Sequence, residues 1–422
     1  MERHLLIACY YFPPYPSIGG RRTAKLARAL AERGWTVHVI GAANPYPAQS
    51  RWTGETRHER IRYYPLPLRY PKPLLYPEEP GLREETLGLK LRARLAAAWY
   101  RRTQQGRIFD PTLRWEAQFT RQAELLLDQY PIRTLWVSIS PHYYAWYAAR
   151  IRQRRPDLHL LLDFRDPWLR MRDFGMQSMS PGQLARERAI VAETLGAADA
   201  VTGTSEFNVG EFEGLCKPGV VPEVIEHFYD PAELQPYLDA AAPPPGGVIR
   251  LVYGGTLYSD VEPALRSLSA ALTRLQETDP EGYRRLRIDF YSHQRQYEGL
   301  FAAHAGQVQF MPPIGQAIFR ELAASSMILI LHAAHNQHIR TTKFYECLPF
   351  GKPYLYLGPA GGNYRFVREH GLGAAFDEAE PPEALAAFLS QAEAYVQAFR
   401  PGLPHELFSL GRQTDRITAL IK

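Results

Sequence analysis

Residues suited to holding a phosphorylated ligand recur at several points of this chain. Between positions 340 and 346, Arg340 and Lys343 supply two cations beside the carboxylate of Glu346. Lys343 and Glu346 lie three apart, the spacing that puts both on one side of a helix. A carboxylate there can accept both hydroxyls of a ribose, and paired cations can clamp a pyrophosphate. The same residues also read as an ordinary surface ion pair. Upstream, Gly255 and Thr256 offer a backbone N–H and a hydroxyl to phosphate, or form a simple turn. Near the start, Gly19 and Gly20 let backbone N–H groups approach an anion where a helix begins, with Arg21 and Arg22 adding charge. A plain tight turn is the alternative.

Three further side chains follow strand-like runs. His142 comes just after Thr134–Ser140, and Arg165 and Asp166 come just after Leu158–Leu162. A side chain at the carboxyl end of a parallel strand meets the ligand edge of the sheet. There Arg165 can face phosphate or acceptor oxygens, and Asp166 can position a hydroxyl or orient His142. Arg165 and Asp166 can also simply pair with each other. His332, His335 and His338 recur every third residue in a loop with no accompanying carboxylate or cysteine cluster, so no metal site is expected.

The elements that must carry these groups are legible as alternating strands and helices. Leu5–Tyr10 reads as a strand, followed by the glycine loop, an amphipathic helix through Leu26 and Leu30, Gly34, and a strand at Thr36–Ile40. Later strands are expected at Ile249–Tyr253, Leu286–Tyr291, Met327–Leu331 and Tyr354–Leu357. A short helix stands before the last of these, closed by Gly351 in a left-handed cap with Phe344, Cys347 and Leu348 inward. This is the pattern of an α/β protein with doubly wound parallel sheets. The proline- and glycine-rich stretch 241–247 reads as a linker between residues 1–240 and 248–400, and a helix at 412–421 ends the chain. Within an irregular region from 44 to 110, Leu87, Leu91, Leu95 and Trp99 form a fourfold stripe among Lys90, Arg92, Arg94, Arg101 and Arg102. Such a helix can rest on an anionic membrane or pack on its own domain.

At 422 residues two domains are expected, and 45% apolar with 22% charged residues is ordinary for a globular protein. The excess of 49 Lys and Arg over 44 Asp and Glu is too mild to imply nucleic acid. No apolar run approaches the roughly 20 residues of a membrane span. The first residues read as a buried strand rather than a signal peptide. Three widely spaced cysteines suggest reduced thiols and a cytoplasmic protein, peripheral on the membrane at most.

Taken in order, several phrases resemble the family 4-like, nucleotide-sugar-dependent glycosyltransferases. The stretch from Thr342 matches [S/T]-K-x-x-E-Y-x-x-x-G-K-P in part, with Glu346 at the position that holds the donor's ribose. YYFPP…GGRR and Y-x-G-x-L-Y resemble the openings of the two halves. Ser138 to His142 (S-x-S-P-H) and Asp163 to Trp168 (D-F-R-D-P-W) resemble one bacterial branch. The resemblance implies a GT-B architecture: two facing Rossmann-like domains with an interdomain cleft, the C-terminal helix of 401–422 packing back across them. It implies a UDP- or GDP-sugar donor, no bound cofactor, and a glycan or lipid-linked acceptor in surface polysaccharide or glycoconjugate synthesis. Retention at the anomeric carbon is implied as well. Two departures stand out. His338 occupies the position of the first of two family glutamates, and Glu226–Pro231 replaces an N-G-x-D-P phrase. A GT-B epimerase or hydrolase, or a non-catalytic nucleotide-sugar-binding protein, would share the donor half.

Overall fold

The computed structural model describes residues 2–69, 87–103, 107–171, 178–239 and 247–422. It covers all their side chains except those at 87, 89, 90, 100, 101, 103 and 336. The chain forms two compact units, Met1–Glu226 with Leu410–Lys422, and His227–Ser409. The units thus divide at 226/227 and 409/410; the expected linker lies, but for Gly247, outside the described residues.

In the first unit, β1 (Arg3–Ala8), β2 (Trp35–Ala42), β3 (Ile61–Leu66), β4 (Ile132–Ile139), β5 (His159–Phe164), β6 (Ala200–Gly203) and β7 (Glu223–Val224) form one sheet. Its order is β3-β2-β1-β4-β5-β6-β7 and every pairing is parallel. Parallel strands need crossover helices on both faces, so their sequences are apolar without alternation. Leu5, Leu6, Ile7 and Ala8 are accordingly all fully buried. The helix Pro181–Ala197 is opened by a capping box between Ser180 and Gln183 with proline at the first turn. The last helix, Leu410–Ala419, belongs to this unit. Arg33 pairs with Asp415 at 2.8 Å, Arg416 with Glu226 at 2.9 Å, and the Lys422 N–H donates to Thr134 Oγ1 at 3.0 Å.

In the second unit, β8 (Ile249–Gly254), β9 (Leu286–Tyr291), β10 (Val308–Met311), β11 (Met327–Leu331), β12 (Tyr354–Leu357) and β13 (Gly373–Phe376) form a sheet of order β10-β9-β8-β11-β12-β13. It too is wholly parallel. Successive residues serve opposite faces. Leu251, Leu329 and Leu355 join the helix Glu262–Thr278 in one core, while Val252, Ile328, Ile330, Tyr354 and Tyr356 join Phe344 and Tyr345 in another.

Both sheets reverse direction of winding at one place, between β1 and β4 and between β8 and β11. Loops leaving the carboxyl ends at such a point diverge and open a crevice. Every candidate residue singled out above lies on a loop, or on the first turns of a helix, beyond such a carboxyl edge.

Candidate functional site

At the first unit's edge, the loop after β1 is tighter than expected. The Gly19 N–H donates to Ser17 Oγ at 3.1 Å and the Gly20 N–H to the Ser17 carbonyl at 3.3 Å. Those donors are therefore engaged within the loop, which corrects the expectation that they are presented to an anion. Glycine is required here for space. A Cβ on Gly20 would lie 2.1 Å from the Tyr11 carbonyl oxygen, and one on Gly19 2.8 Å from an Arg165 nitrogen. Arg22 is likewise not a surface cation. It is 2% exposed, pairs with fully buried Asp163 at 3.2 Å, and donates to the carbonyls of Ile225 and Glu226.

Arg165 is buried and acts as a staple. Its two terminal nitrogens donate to the Gly19 carbonyl at 2.6 Å and the Ser140 carbonyl at 2.5 Å, and its own carbonyl accepts from Thr204 and Asn208. Loops after β1, β4, β5 and β6 are thereby locked together. Burial works against its charge, yet Asp166, with Cys9, Tyr144 and Tyr11 beside it, outweighs this and raises its pKa. The side chain expected to meet acceptor oxygens instead ties the loops to one another, because carbonyls already take both terminal nitrogens. Asp166, the next residue, remains partly exposed, and no hydrogen bond to its carboxylate occurs among the described residues.

His142 precedes the helix Tyr143–Arg154 and is 2% exposed. Nδ1 lies 3.4 Å from Asp110, Nε2 lies 3.2 Å from the Pro167 carbonyl, and the ring leans on Trp168 at 5.1 Å. Asp110 also accepts the His142 backbone N–H at 2.6 Å. Asp166 does not touch the imidazole; Asp110 is the carboxylate that orients it. Two more buried acids hold the same loop. Glu187 accepts from Trp168 Nε1 and the Tyr143 hydroxyl, and Glu211 accepts the backbone N–H groups of Trp168, Leu169 and Arg170. Burial pushes the Glu211 carboxyl up despite those three donors. Asp110, Glu187 and Glu211 were missed from sequence, since each lies 19 or more residues along the chain from the loop it serves and in no motif of its own.

At the second unit's edge, the helix Thr342–Glu346 stands over the loop after β8. The Lys343 ammonium donates to the Gly254 carbonyl and lies above the Tyr253 ring. Gly255 packs beneath it, where a Cβ would come within 2.5 Å of that nitrogen. The Gly255 N–H donates to the Tyr291 carbonyl at 3.0 Å, so it is not the phosphate donor expected. Thr256 is exposed, its carbonyl held by the Tyr253 hydroxyl at 2.8 Å. Thr342 and Glu346 are both partly exposed. Arg340 is 2% exposed, with Nε donating to the Tyr345 hydroxyl at 2.8 Å and the guanidinium over Phe366 at 4.1 Å. As expected, Gly351 is left-handed, with φ of 63°, and Phe344, Cys347 and Leu348 are buried.

The three histidines separate. Buried His332 packs on Tyr356 at 5.5 Å, and its Nδ1 finds no partner among the described residues. Burial, helped by His335 and Arg340, depresses its pKa to about 3. His335 Nδ1 meets Asp260 at 2.6 Å. His338 Nδ1 accepts the Gly362 N–H at 3.1 Å, at the start of the helix Gly362–Glu369, which puts the ring proton on Nε2.

No family model matches the chain, and no curated protein matches it. Solved structures do match along nearly the whole length, and they define the class of fold as GT-B. A sucrose-phosphate synthase from Thermosynechococcus elongatus is 14% identical with a TM-score of 0.57, the match covering 100% of this chain and 95% of that one. An alpha,alpha-trehalose-phosphate synthase (UDP-forming) from Burkholderia vietnamiensis is 13% identical with a TM-score of 0.58, covering 99% and 96%. A trehalose-6-phosphate structure from E. coli bound with UDP-2-fluoro glucose is 10% identical with a TM-score of 0.56, covering 99% and 95%.

Proposed function

We propose that this chain is a glycosyltransferase of the family 4-like, retaining kind. It moves a sugar from a UDP- or GDP-sugar to a glycan or lipid-linked acceptor in bacterial surface polysaccharide or glycoconjugate synthesis. The second unit holds the donor and the first unit the acceptor. One observation carries the reading: Lys343 and Glu346 share a short helix whose lysine reaches the carboxyl end of β8, at the winding reversal of that sheet. Glu346 accepts the ribose hydroxyls, with Thr342 and Thr256 as neutral donors at the diphosphate. Lys343 and Arg340 stabilise the diphosphate as it departs, where a single well-placed donor contributes about 3 kcal/mol to the transition state. His338 stands by the sugar where the family's first glutamate would be. Asp166 positions the acceptor hydroxyl, on a floor kept rigid by Arg165 and His142. The UDP named for two of the matched structures supports UDP as the donor's nucleotide.

The experiment is a thermal-shift screen against UDP-, GDP-, ADP-, CMP- and dTDP-sugars with Glu346→Ala as control. A ligand at 100 times its dissociation constant stabilises the folded state by about 2.7 kcal/mol, a clear rise in Tm. Stabilisation by one nucleotide class, absent in the variant, is expected. If none of the five stabilises the wild type, the donor assignment is wrong.

A further inference from the structure

The helix Leu87–Thr103 carries Leu91, Leu95 and Trp99 at fourfold spacing, and they are 59%, 63% and 52% exposed. At about 100° per residue the three cover roughly 80° of the helix surface. By the same count Arg94 lies about 60° to one side of Leu91, Arg92 about 20° beyond Trp99, and Arg102 on the stripe at its C-terminal end. Arg92, Arg94 and Arg102 are exposed. The Arg114 guanidinium stands 5.0 Å over the Trp99 ring. The 17-residue sequence LGLKLRARLAAAWYRRT contains no acidic residue. The side chains of Leu87, Lys90 and Arg101, part of the expected pattern, lie outside those described.

We propose that this helix lies on an anionic lipid surface. Leu91, Leu95 and Trp99 enter the boundary between headgroups and acyl chains, while the arginine stems extend to the lipid phosphates. The arrangement fits because long basic side chains beside an apolar stripe keep their charges at the interface while their stems cover apolar area. Tryptophan suits that boundary, having an apolar ring and a polar N–H. A second protein is the poorer occupant. Three side chains on one helix fall well short of the roughly 800 Å² per partner that a stable protein interface buries. The helix rests on the bilayer and does not cross it: among the described residues no helix is long and apolar enough to span.

Vesicle flotation of the full chain tests this, with pure phosphatidylcholine against phosphatidylcholine mixed equally with phosphatidylglycerol. Co-flotation with the anionic vesicles only, weakening as salt is raised, is expected. Each arginine contributes about fivefold to affinity, so Arg92→Glu/Arg94→Glu should weaken binding by about 30-fold or more. Leu95→Ser/Trp99→Ser should weaken it by at least about tenfold. All four positions are exposed, so unchanged melting of both variants separates lost docking from lost folding. The readout does not depend on sugar transfer. Absence of flotation at low salt, or wild-type flotation by both variants, overturns the proposal. So does concentration-dependent self-association abolished by the same substitutions in a chain that does not bind vesicles.

Discussion

His332 makes the second unit's stability depend on pH in a way that can be worked through. Its imidazole is 3% exposed at the carboxyl end of β11, and burial lowers its pKa from the ordinary value near 6.5 to about 3. Between those two values the unfolded chain binds a proton that the folded chain does not. The neutral ring's contribution is therefore fully present above about pH 6.5 and is lost as pH falls from there towards 3. Integrating proton uptake from pH 7 to pH 5 gives a loss of about 2 kcal/mol from this residue. The perturbation is His332→Phe, which removes the titrating group. The larger ring also costs about 1–3 kcal/mol of overpacking at every pH, so the offset is not the readout. Urea unfolding of both proteins at pH 7 and pH 5 isolates the effect, because other titrating groups cancel in the difference. The variant should lose about 2 kcal/mol less than wild type between the two pH values. Parallel pH dependence, within about 0.5 kcal/mol, would refute the assignment of His332 as a buried neutral imidazole.

Two further substitutions probe the floor of the first unit. Gly20→Ala forces a Cβ to 2.1 Å from the Tyr11 carbonyl, a backbone atom that cannot swing aside, and should cost about 3 kcal/mol in denaturant unfolding. Gly54→Ala, with nothing within 4 Å, should stay within about 0.5 kcal/mol and serves as the control. Asp163→Ala strands the buried Arg22 charge and should destabilise by about 3–5 kcal/mol, whereas Arg22→Met with Asp163→Leu should cost far less. Equal losses in the single and double variants would mean that packing, not charge, is what Asp163 supplies.

Local chemistry made much of this molecule legible in advance. The runs Leu286–Tyr291, Met327–Leu331 and Tyr354–Leu357 are strands at those bounds; the last two are uninterrupted apolar runs, as a strand covered on both faces is written, while the first is broken by Arg287 and Asp289. Gly351 and Gly34 take positive φ where a helix must stop, and only glycine does so freely. Edge strands were harder. β3 carries Pro65, and β10 and β13 are four residues each, too short and too polar or small to show periodicity.

The candidate site divides along the same line. Which side chains stand at the carboxyl edges followed from sequence, because parallel winding puts every loop after a strand there. What each does at that edge depended on partners distant in sequence, from 25 residues away for Ser140 and Pro167 to 146 for Gly19. Arg165 looked like a hand for phosphate, yet carbonyls of Gly19 and Ser140 take both of its terminal nitrogens. His142 looked free to meet a ligand, yet Asp110 and Pro167 hold it. The Gly255 N–H looked available, and Tyr291 takes it. A buried donor or acceptor left unmade costs about 1–3 kcal/mol, so folding spends the nearest polar groups on one another first. Sequence sets the inventory of polar groups and the edge they reach; only the tertiary contacts decide which are left for a ligand.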